Sequence, residues 1–236
     1  MYLFSTPKMA ELKIADLVKY NVYVFGIVFV LVCISIVFLD QNLTTLFKDD
    51  DWKWQFARDI TNIGLFENYF VPAFLVWAGT WSVLKWNLGS FNRDVLKRVC
   101  RQSTWLMYSL LFSGVFTHVI KPIVGRQRPF VSDDFEPFVF SPLTTFFDPT
   151  GYFHSMPSGH AQVLFTVATF LAFSMPRFKV GFYLLAFLLA FTRVVTRDHF
   201  FSDVLMGALV GHLTTVTLIY WLYKRAASKA ASLKIE

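Results

Sequence analysis

The 236-residue sequence carries little formal charge and only two cysteines. Asp, Glu, Lys and Arg make up 16% of it, whereas an average soluble domain has roughly 25%. This scarcity argues against an ordinary soluble enzyme and against intrinsic disorder. Cys33 and Cys100 have no metal-ligand spacing and do not support a disulfide scaffold. Internal repeats and low-complexity linkers are also lacking, so residues 1–236 are expected to form one domain.

Apolar residues dominate instead, since 55% of the chain is hydrophobic and 19% is aromatic. They collect in six runs without Asp, Glu, Lys or Arg, at residues 21–39, 68–84, 102–120, 161–175, 180–192 and 204–223. Such runs are typical of membrane-spanning helices. The predicted fold class is all-α, a six-transmembrane-helix bundle with a tight turn at Pro176 and Arg177. The first run begins too late and is too long for a cleaved signal peptide.

The distribution of Lys and Arg predicts how the bundle is oriented. If both ends are cytoplasmic, the cytoplasmic segments hold 14 of the 22 basic residues, and the opposite side holds 12 of the 16 acidic ones. This asymmetry follows the positive-inside rule. In a bacterial inner membrane it puts residues 40–67, 121–160 and 193–203 on the periplasmic side. Topology then accounts for the net charge of +6, and neither a nucleic acid nor an obligate protein partner is expected.

The first outer segment predicts an additional helix. Its apolar residues recur at helical spacing, at Trp52, Phe56, Ile60 and Ile63. This pattern suits a helix that lies in the membrane interface, and a helix that covers the bundle is an equal alternative. Three consecutive carboxylates precede it, Asp49, Asp50 and Asp51. Solvated charges, one of them at the helix N-terminus, are favoured there over a divalent-cation site.

A cluster of cations begins where the third uncharged run ends. Lys121, Arg126 and Arg128 fall within eight residues, on the side that the positive-inside rule disfavours. Snorkelling to the interface explains one such cation well but three poorly. With Gly125 among them, the cluster suits an anionic, oxygen-rich group, because Arg offers a planar fork and Lys a mobile charge.

A second motif, Pro157-Ser158-Gly159-His160, precedes the fourth run. Ser158 fits the N-cap position of a helix, and Gly159 lets a ligand approach the backbone closely. The free N–H groups at such a helix start form an anion site. A lone His160 would more often be structural, so its interest comes from the motifs around it.

The third motif contains Arg193, His199 and Asp203. Arg193 lies close to or within a span, and an intramembrane charge is by default a functional hypothesis. His199 and Asp203 are four residues apart, which places them on one face of a helix. A carboxylate beside an imidazole fixes its tautomer and supports the charge that forms when the other nitrogen attacks. A plain contact on a helix surface is the alternative.

Together the three motifs resemble those of the lipid phosphate phosphatase superfamily, also called type 2 phosphatidic acid phosphatases. That pattern is Lys-x6-Arg-Pro, then Pro-Ser-Gly-His, then Ser-Arg-x5-His-x3-Asp. Here the motifs are Lys121-x6-Arg128-Pro129, residues 157–160, and Arg193-x5-His199-x3-Asp203. The one departure is Thr192 in place of Ser, which keeps the hydroxyl. The motifs extend over about a third of the chain, and the six-span layout matches the membrane branch of the family.

The resemblance implies a role for each motif residue. His199 is expected to be the nucleophile that forms a phosphohistidine, with Asp203 as its orienting partner. His160 is expected to protonate the leaving alcohol and later to activate water. The phosphate is expected to bind Lys121, Arg128, Arg193 and the backbone near Ser158 and Gly159. No metal or cofactor is implied, and a metal site is a weak alternative for Asp133, Asp134, Glu136 and His154.

A site at the outer interface favours a phosphorylated lipid as substrate, with the bilayer as its surroundings. Candidates are lipid A, undecaprenyl diphosphate, phosphatidylglycerol phosphate and phosphatidic acid. Arg126 and Arg197 lie outside the three motifs and are expected to bind a second phosphate or an acidic sugar, which favours lipid A or a diphosphate lipid. Residues 130–147 contain six Phe, which suit either contact with acyl chains or packing over the bundle.

Two other classes of function stay open. The same phosphohistidine could pass its phosphoryl group to a lipid instead of water, and release of free phosphate would separate the two. A transporter or scaffold is less favoured, because polar residues collect at the outer helix ends rather than near the midplane. Only His212 sits in mid-span, where packing or hydrogen bonding is its expected role.

Overall fold

The computed structural model describes residues 12–47, 51–143 and 148–232, with side chains as far as residue 228. Its helices are α1 (Ile14–Phe38), α2 (Asp40–Thr45), α3 (Trp52–Thr61), α4 (Glu67–Trp86), α5 (Arg93–Val124), α6 (Gly159–Ser174), α7 (Lys179–Val195) and α8 (Phe201–Ser232). Short 3₁₀ turns occupy Asn62–Gly64, Pro129–Val131 and Pro176–Phe178. Over these residues the chain forms no strand, only an isolated bridge between Arg126 and Phe140. The predicted all-α class is confirmed.

Four helices are long and apolar enough to cross a membrane, within the part of the chain that the structure describes. They are Ile14–Phe38, Arg93–Val124, Pro176–Val195 and Phe201–Ser228. Helix α6 is apolar but has only 16 residues, and α4 has 20. Much of α1 faces outwards with apolar side chains, for example Val22 and Tyr23, which are 66% and 69% exposed. A continuous apolar surface of this kind needs a bilayer around it, so this is an integral membrane protein.

Helix α5 owes its ends to two local signals. The side chain of Asn92 accepts hydrogen bonds from the N–H groups of Asp94 and Val95, which caps the N-terminus. Gly125 ends the helix in the left-handed region, at φ 57°, and its N–H donates to the carbonyl of Lys121. A Cβ at Gly125 would lie 2.1 Å from the carbonyl oxygen of Ser141. Only glycine fits there, and the helix therefore stops just beyond Lys121.

Helix α8 is the centre of the bundle and packs against α1, α5, α6 and α7. Its closest approach is to the start of α6, where two glycines one turn apart face the α6 backbone. A Cβ at Gly207 would lie 2.3 Å from the carbonyl oxygen of Ser158, and one at Gly211 would lie 2.3 Å from that of Gln162. Small residues at this spacing let two membrane helices come close. The contact holds the N-terminus of α6 against the first turns of α8.

A buried polar cluster ties four helices together around His212. Its Nε2 is 2.8 Å from the hydroxyl of Tyr20 on α1, and its Nδ1 is 2.9 Å from that of Tyr183 on α7. The hydroxyl of Thr169 on α6 lies 3.0 Å from the same Nδ1. His212 is thus held by neighbours on three other helices, and its surroundings match the predicted hydrogen-bonding role.

Helix α3 packs against α7 and at the same time presents apolar side chains outwards. Ala57 and Thr61 are buried, whereas Trp52 and Phe56 are 70% and 59% exposed. The helix therefore covers part of the bundle, which is one of the two arrangements predicted for it. Asp51 stands at its N-cap without a side-chain hydrogen bond. Asp49 and Asp50, which belong to the same predicted charge run, lie outside the described residues, as do Phe146 and Phe147.

Candidate active site

The three motifs meet at one end of the bundle, where α5 and α7 end and α6 and α8 begin. Two backbone contacts join the loops that carry them. The N–H of Ser158 donates to the carbonyl of Asp203 (2.9 Å), and the N–H of Ser155 donates to the carbonyl of Arg126 (3.0 Å). Segments that are far apart in sequence are therefore fixed against one another before any ligand binds.

His199 lies in the turn just before α8 and is only 2% exposed. Its Nδ1 lies 3.8 Å from Oδ2 of Asp203, which is in the first turn of α8. This distance is longer than a hydrogen bond, although catalytic contacts often tighten only when substrate is present. Nδ1 has no other hydrogen-bond partner among the described residues. Asp203 is therefore placed to accept a hydrogen bond from Nδ1–H, which leaves Nε2 for the substrate.

Burial and nearby cations keep the His199 ring neutral. Desolvation lowers its pKa well below 6.5, and the charges of Arg128, Lys121 and Arg193 lower it further, with a smaller effect from His160. These groups come from four separate segments and surround the ring. A neutral imidazole has a free lone pair, which is the form that can attack phosphorus.

Three cations border the site, and each is oriented by the protein. Nζ of Lys121 donates to the carbonyl of His154 (2.6 Å), and Nε of Arg128 donates to that of Gly151 (3.0 Å). Nη1 of Arg193 lies 3.1 Å from Oδ2 of Asp198, whereas its buried Nε has no partner in the described part of the chain. The N–H groups of these three side chains that do not take part in such contacts can donate to the oxygens of an anion.

The N-terminus of α6 supplies the remaining part of the site. Ser158 occupies the predicted N-cap position, but its hydroxyl caps nothing. That hydroxyl is fully buried and lacks a hydrogen-bond partner among the described residues. The first N–H groups of the helix, from Gly159 onwards, point out of its positive end. His160 follows in the first turn, where it borders a large cleft.

The structure corrects the prediction for Arg126. Its guanidinium is completely buried, and its five N–H donors all have acceptors within the protein. These are Asp203 Oδ1 (2.6 Å), Ser202 Oγ (2.6 Å), Asp40 Oδ2 (2.7 Å) and, twice, the carbonyl of Pro137. Arg126 therefore has no donor left for a second phosphate. Sequence spacing places it beside Arg128 but does not reveal that its side chain points inwards.

Arg197 contacts residues of the outer loops. Its guanidinium stacks over the ring of Phe135 (4.8 Å) and donates to the carbonyl of Phe47. It borders a second, smaller cavity of about 430 Å³ together with Trp54 and Asp198. The structure thus ties Arg197 to the outer loops, and its contact with substrate stays a prediction.

The site opens into a cleft of about 920 Å³ between α4, α5 and α6. Lys121, His154 and His160 lie at its polar end. From there the wall continues down α5 through Thr117 and Gly114 to Leu110, which is about 16 Å at the rise of an α-helix. Most of the remaining lining is apolar. The cleft can therefore accept a molecule with a charged end and a long apolar part.

Several residues of this site escaped the sequence motifs. The hydroxyl of Thr61 accepts hydrogen bonds from Thr192 and from Nη1 of Arg193, both at 3.1 Å. Gly64 packs on His160, where a Cβ would lie 2.9 Å from the ring. Asp40, Ser155 and Ser202 surround Arg126 and Asp203. None belongs to a recognisable pattern. The sequence offers one signal for this group, because Asp40 is a carboxylate placed directly after the first apolar run.

A metal site was the alternative prediction for Asp133, Asp134, Glu136 and His154. Among residues 12–47, 51–143 and 148–232, no three His, Cys, Asp or Glu side chains are grouped as metal ligands. Asp133, Asp134 and Glu136 are exposed, whereas His154 borders the cleft. The donor set around His199 is instead rich in cations, which repel a metal ion and attract an anion.

Comparison with known proteins found two similar sequences and one similar solved structure. Two proteins named lipid A 1-phosphatase, from Rhizobium johnstonii and Rhizobium etli, are each 34% identical over 107 residues. The match covers 45% of this chain and 42% and 44% of theirs, so it spans less than half the length of these relatives. A transmembrane PAP2 type phosphatidylglycerolphosphate phosphatase from Bacillus subtilis aligns over 89% of this chain and 96% of its own, with 20% identity and a TM-score of 0.47.

A family model described as the PAP2 superfamily matches residues 102–227. This range contains Lys121 and Arg128, the residues around His160, and the whole third motif to Asp203. Because the matched range covers more than half of the chain and holds every motif residue, the protein belongs to the PAP2 superfamily.

Proposed function

We propose that this protein is a metal-independent lipid phosphatase, in which all six long helices cross a bacterial inner membrane and the site faces the periplasm. The observation that carries the proposal is the buried His199, which faces Asp203 and is under the influence of the charges of Lys121, Arg128 and Arg193, next to an apolar cleft whose polar end Lys121 and His160 line. Helix α6 is short for a span, but α5, α7 and α8 enclose it. The exposed Trp52 and Phe56 suit contact of α3 with the membrane interface.

The first chemical step transfers the phosphoryl group to the enzyme. The lone pair on Nε2 of His199 forms a bond to phosphorus, and the bond from phosphorus to the lipid oxygen breaks. His160 donates a proton to that oxygen as it leaves. Lys121, Arg128 and Arg193 stabilise the charge on the phosphoryl oxygens, and Asp203 stabilises the charged ring of the phosphohistidine.

The second step returns the enzyme to its starting form. His160, now neutral, takes a proton from a water molecule whose oxygen bonds to phosphorus. The bond between phosphorus and Nε2 breaks, and the electron pair returns to the imidazole. The products are inorganic phosphate and a lipid with a free hydroxyl or, from a diphosphate lipid, a monophosphate.

The shape of the cleft supports a lipid as substrate. Its polar end holds Lys121 and His160 and its long side is apolar, so a phosphate can bind at headgroup depth while acyl chains follow α5 into the bilayer. The relatives named lipid A 1-phosphatase support lipid A as the first substrate to test. With Arg126 engaged by the protein itself, a second phosphate would have to bind outside that side chain.

Free-phosphate release from purified protein tests this function. We expect turnover of at least one substrate in a panel of lipid A, undecaprenyl diphosphate, phosphatidylglycerol phosphate and phosphatidic acid, with EDTA present throughout. Dephosphorylated lipid without free phosphate would indicate phosphotransfer instead. Turnover that EDTA abolishes and added metal restores would contradict the metal-independent mechanism.

Cysteine labelling tests the proposed orientation. In a background with Cys33→Ser and Cys100→Ser, we expect a membrane-impermeant maleimide to label Asp134→Cys in intact spheroplasts. Asp94→Cys should react only after the membrane is permeabilised. Both positions are exposed, so a failure to react would reflect the membrane side and not burial. The opposite labelling pattern would overturn the topology.

A further inference from the structure

Behind His199, on the side away from the cleft, a buried ionic network joins the ends of three segments. Asp40 in α2, Arg126 in the loop after α5, and Asp203 in α8 are all fully buried. Arg126 lies between the two carboxylates, 2.7 Å from Asp40 Oδ2 and 2.6 Å from Asp203 Oδ1. Two carboxylates therefore share one guanidinium, and the group of three carries one net negative charge when all are ionised.

Ser202 fixes the position of Asp40 in this network. Its N–H donates to Oδ1 of Asp40 (2.9 Å), its hydroxyl donates to Oδ2 (2.5 Å), and the same hydroxyl accepts from Arg126. Asp40 thus accepts three hydrogen bonds without a water molecule. A buried carboxylate held by this many donors has a defined position and orientation.

The near half of the network orients the carboxylate that faces the histidine. Oδ1 of Asp203 binds Arg126, whereas Oδ2 accepts from the hydroxyl of Ser155 (2.5 Å) and the N–H of Phe200 (2.8 Å). Oδ2 is also the oxygen nearest to His199. Arg126 alone would neutralise Asp203, and a neutralised carboxylate gives less support to a charged imidazole ring.

We propose that Asp40 and Arg126 are positioning residues for the nucleophile: Asp40 neutralises Arg126, so that Asp203 keeps its negative charge for the ring of His199. This inference rests on the proposed phosphohistidine chemistry, because the ring becomes positively charged when Nε2 is phosphorylated. Arg126 then holds Asp203 in place without cancelling its charge. Neither Asp40 nor Arg126 touches the substrate.

Removing the negative charge of Asp40 and, separately, the positive charge of Arg126 tests this inference. Asp40→Asn leaves Arg126 to neutralise Asp203, so kcat should fall about tenfold to a hundredfold with KM nearly unchanged. The acid limb of kcat/KM, which reports protonation of His199, should move to lower pH. Arg126→Met should move the same limb to higher pH. Each shift should be about one pH unit.

Other charges face His199 as well, namely those of Lys121, Arg128, Arg193, His160 and Asp203. They are the same in every variant, so they do not alter the direction of either shift. The double variant Asp40→Asn/Arg126→Met removes both charges and should bring the acid limb back towards the wild-type position. Asp59→Asn is the matched control, because it removes one exposed carboxylate from α3 and should leave the limb unmoved.

Histidine-selective NMR titration in detergent micelles supplies a readout that does not depend on turnover. The pKa of the His199 ring should fall in Asp40→Asn, rise in Arg126→Met and return in the double variant. If the wild type releases no phosphate from any lipid, the proposed function fails. The pKa of the His199 ring in the two single variants and the double variant still tests whether Asp40 and Arg126 act on His199. If Arg126→Met does not fold, Arg126→Lys takes its place. This variant keeps the positive charge, so the pKa of the His199 ring should stay at its wild-type value. Shifts in one common direction, or none, would overturn the inference.

Discussion

Replacing His199 with alanine is expected to abolish phosphate release, with a loss in kcat of at least roughly a thousandfold. The reason is that Nε2 of His199 is the atom proposed to bond to phosphorus. Phosphate release from the best lipid of the panel measures the loss. The overall fold should persist, because Nδ1 of His199 has no hydrogen-bond partner among the described residues.

A trapping experiment separates loss of the nucleophile from general damage. Phosphohistidine survives alkaline denaturation, so wild-type protein incubated with labelled lipid phosphate should retain label, and His199→Ala should retain none. His212→Asn is the matched control, because His212 lies about 16 Å along α8 from its start and does not border the cleft. It should keep most of the activity per folded molecule. Unchanged phosphate release from His199→Ala would refute the proposed mechanism.

Replacing Gly207 with valine is expected to destabilise the protein by at least about 2 kcal/mol and to remove most of its activity. The first new carbon would lie 2.3 Å from the carbonyl oxygen of Ser158, a backbone atom that cannot rotate away. Helices α6 and α8 must then separate, which breaks the 2.9 Å hydrogen bond from Ser158 to Asp203. Thermal unfolding in detergent and phosphate release measure the two effects.

Gly181→Ala provides the matched control for this substitution. Gly181 lies near the start of α7, and a Cβ there would meet nothing within 4 Å. Alanine is favoured over glycine inside a helix by up to about 1 kcal/mol, so this variant should be as stable as wild type or slightly more so. If Gly207→Val were equally harmless, the close packing of α6 on α8 would not be what holds the site together.

The sequence determined the class of the fold and the identity of the motifs because both depend on local order. Long uncharged runs require helices wherever the surroundings are apolar, and the structure has helices over each of the six runs. The family was likewise indicated by a resemblance between local motifs, since Lys121, His160 and His199 stand in the order of the known family pattern. Only the ends of the helices shifted, for example at Ile14, where α1 begins seven residues before the uncharged run.

Tertiary structure alone decided which cations belong to the site and what lies behind it. Arg126 and Arg128 are two residues apart and chemically identical. Arg126 is buried between Asp40 and Asp203, whereas the charge of Arg128 acts on His199. Asp40 is 86 residues from Arg126 in sequence, and no periodicity connects them. The direction of a loop side chain depends on the charges that other segments bring to its position, and these are settled only when α2, α5 and α8 pack together.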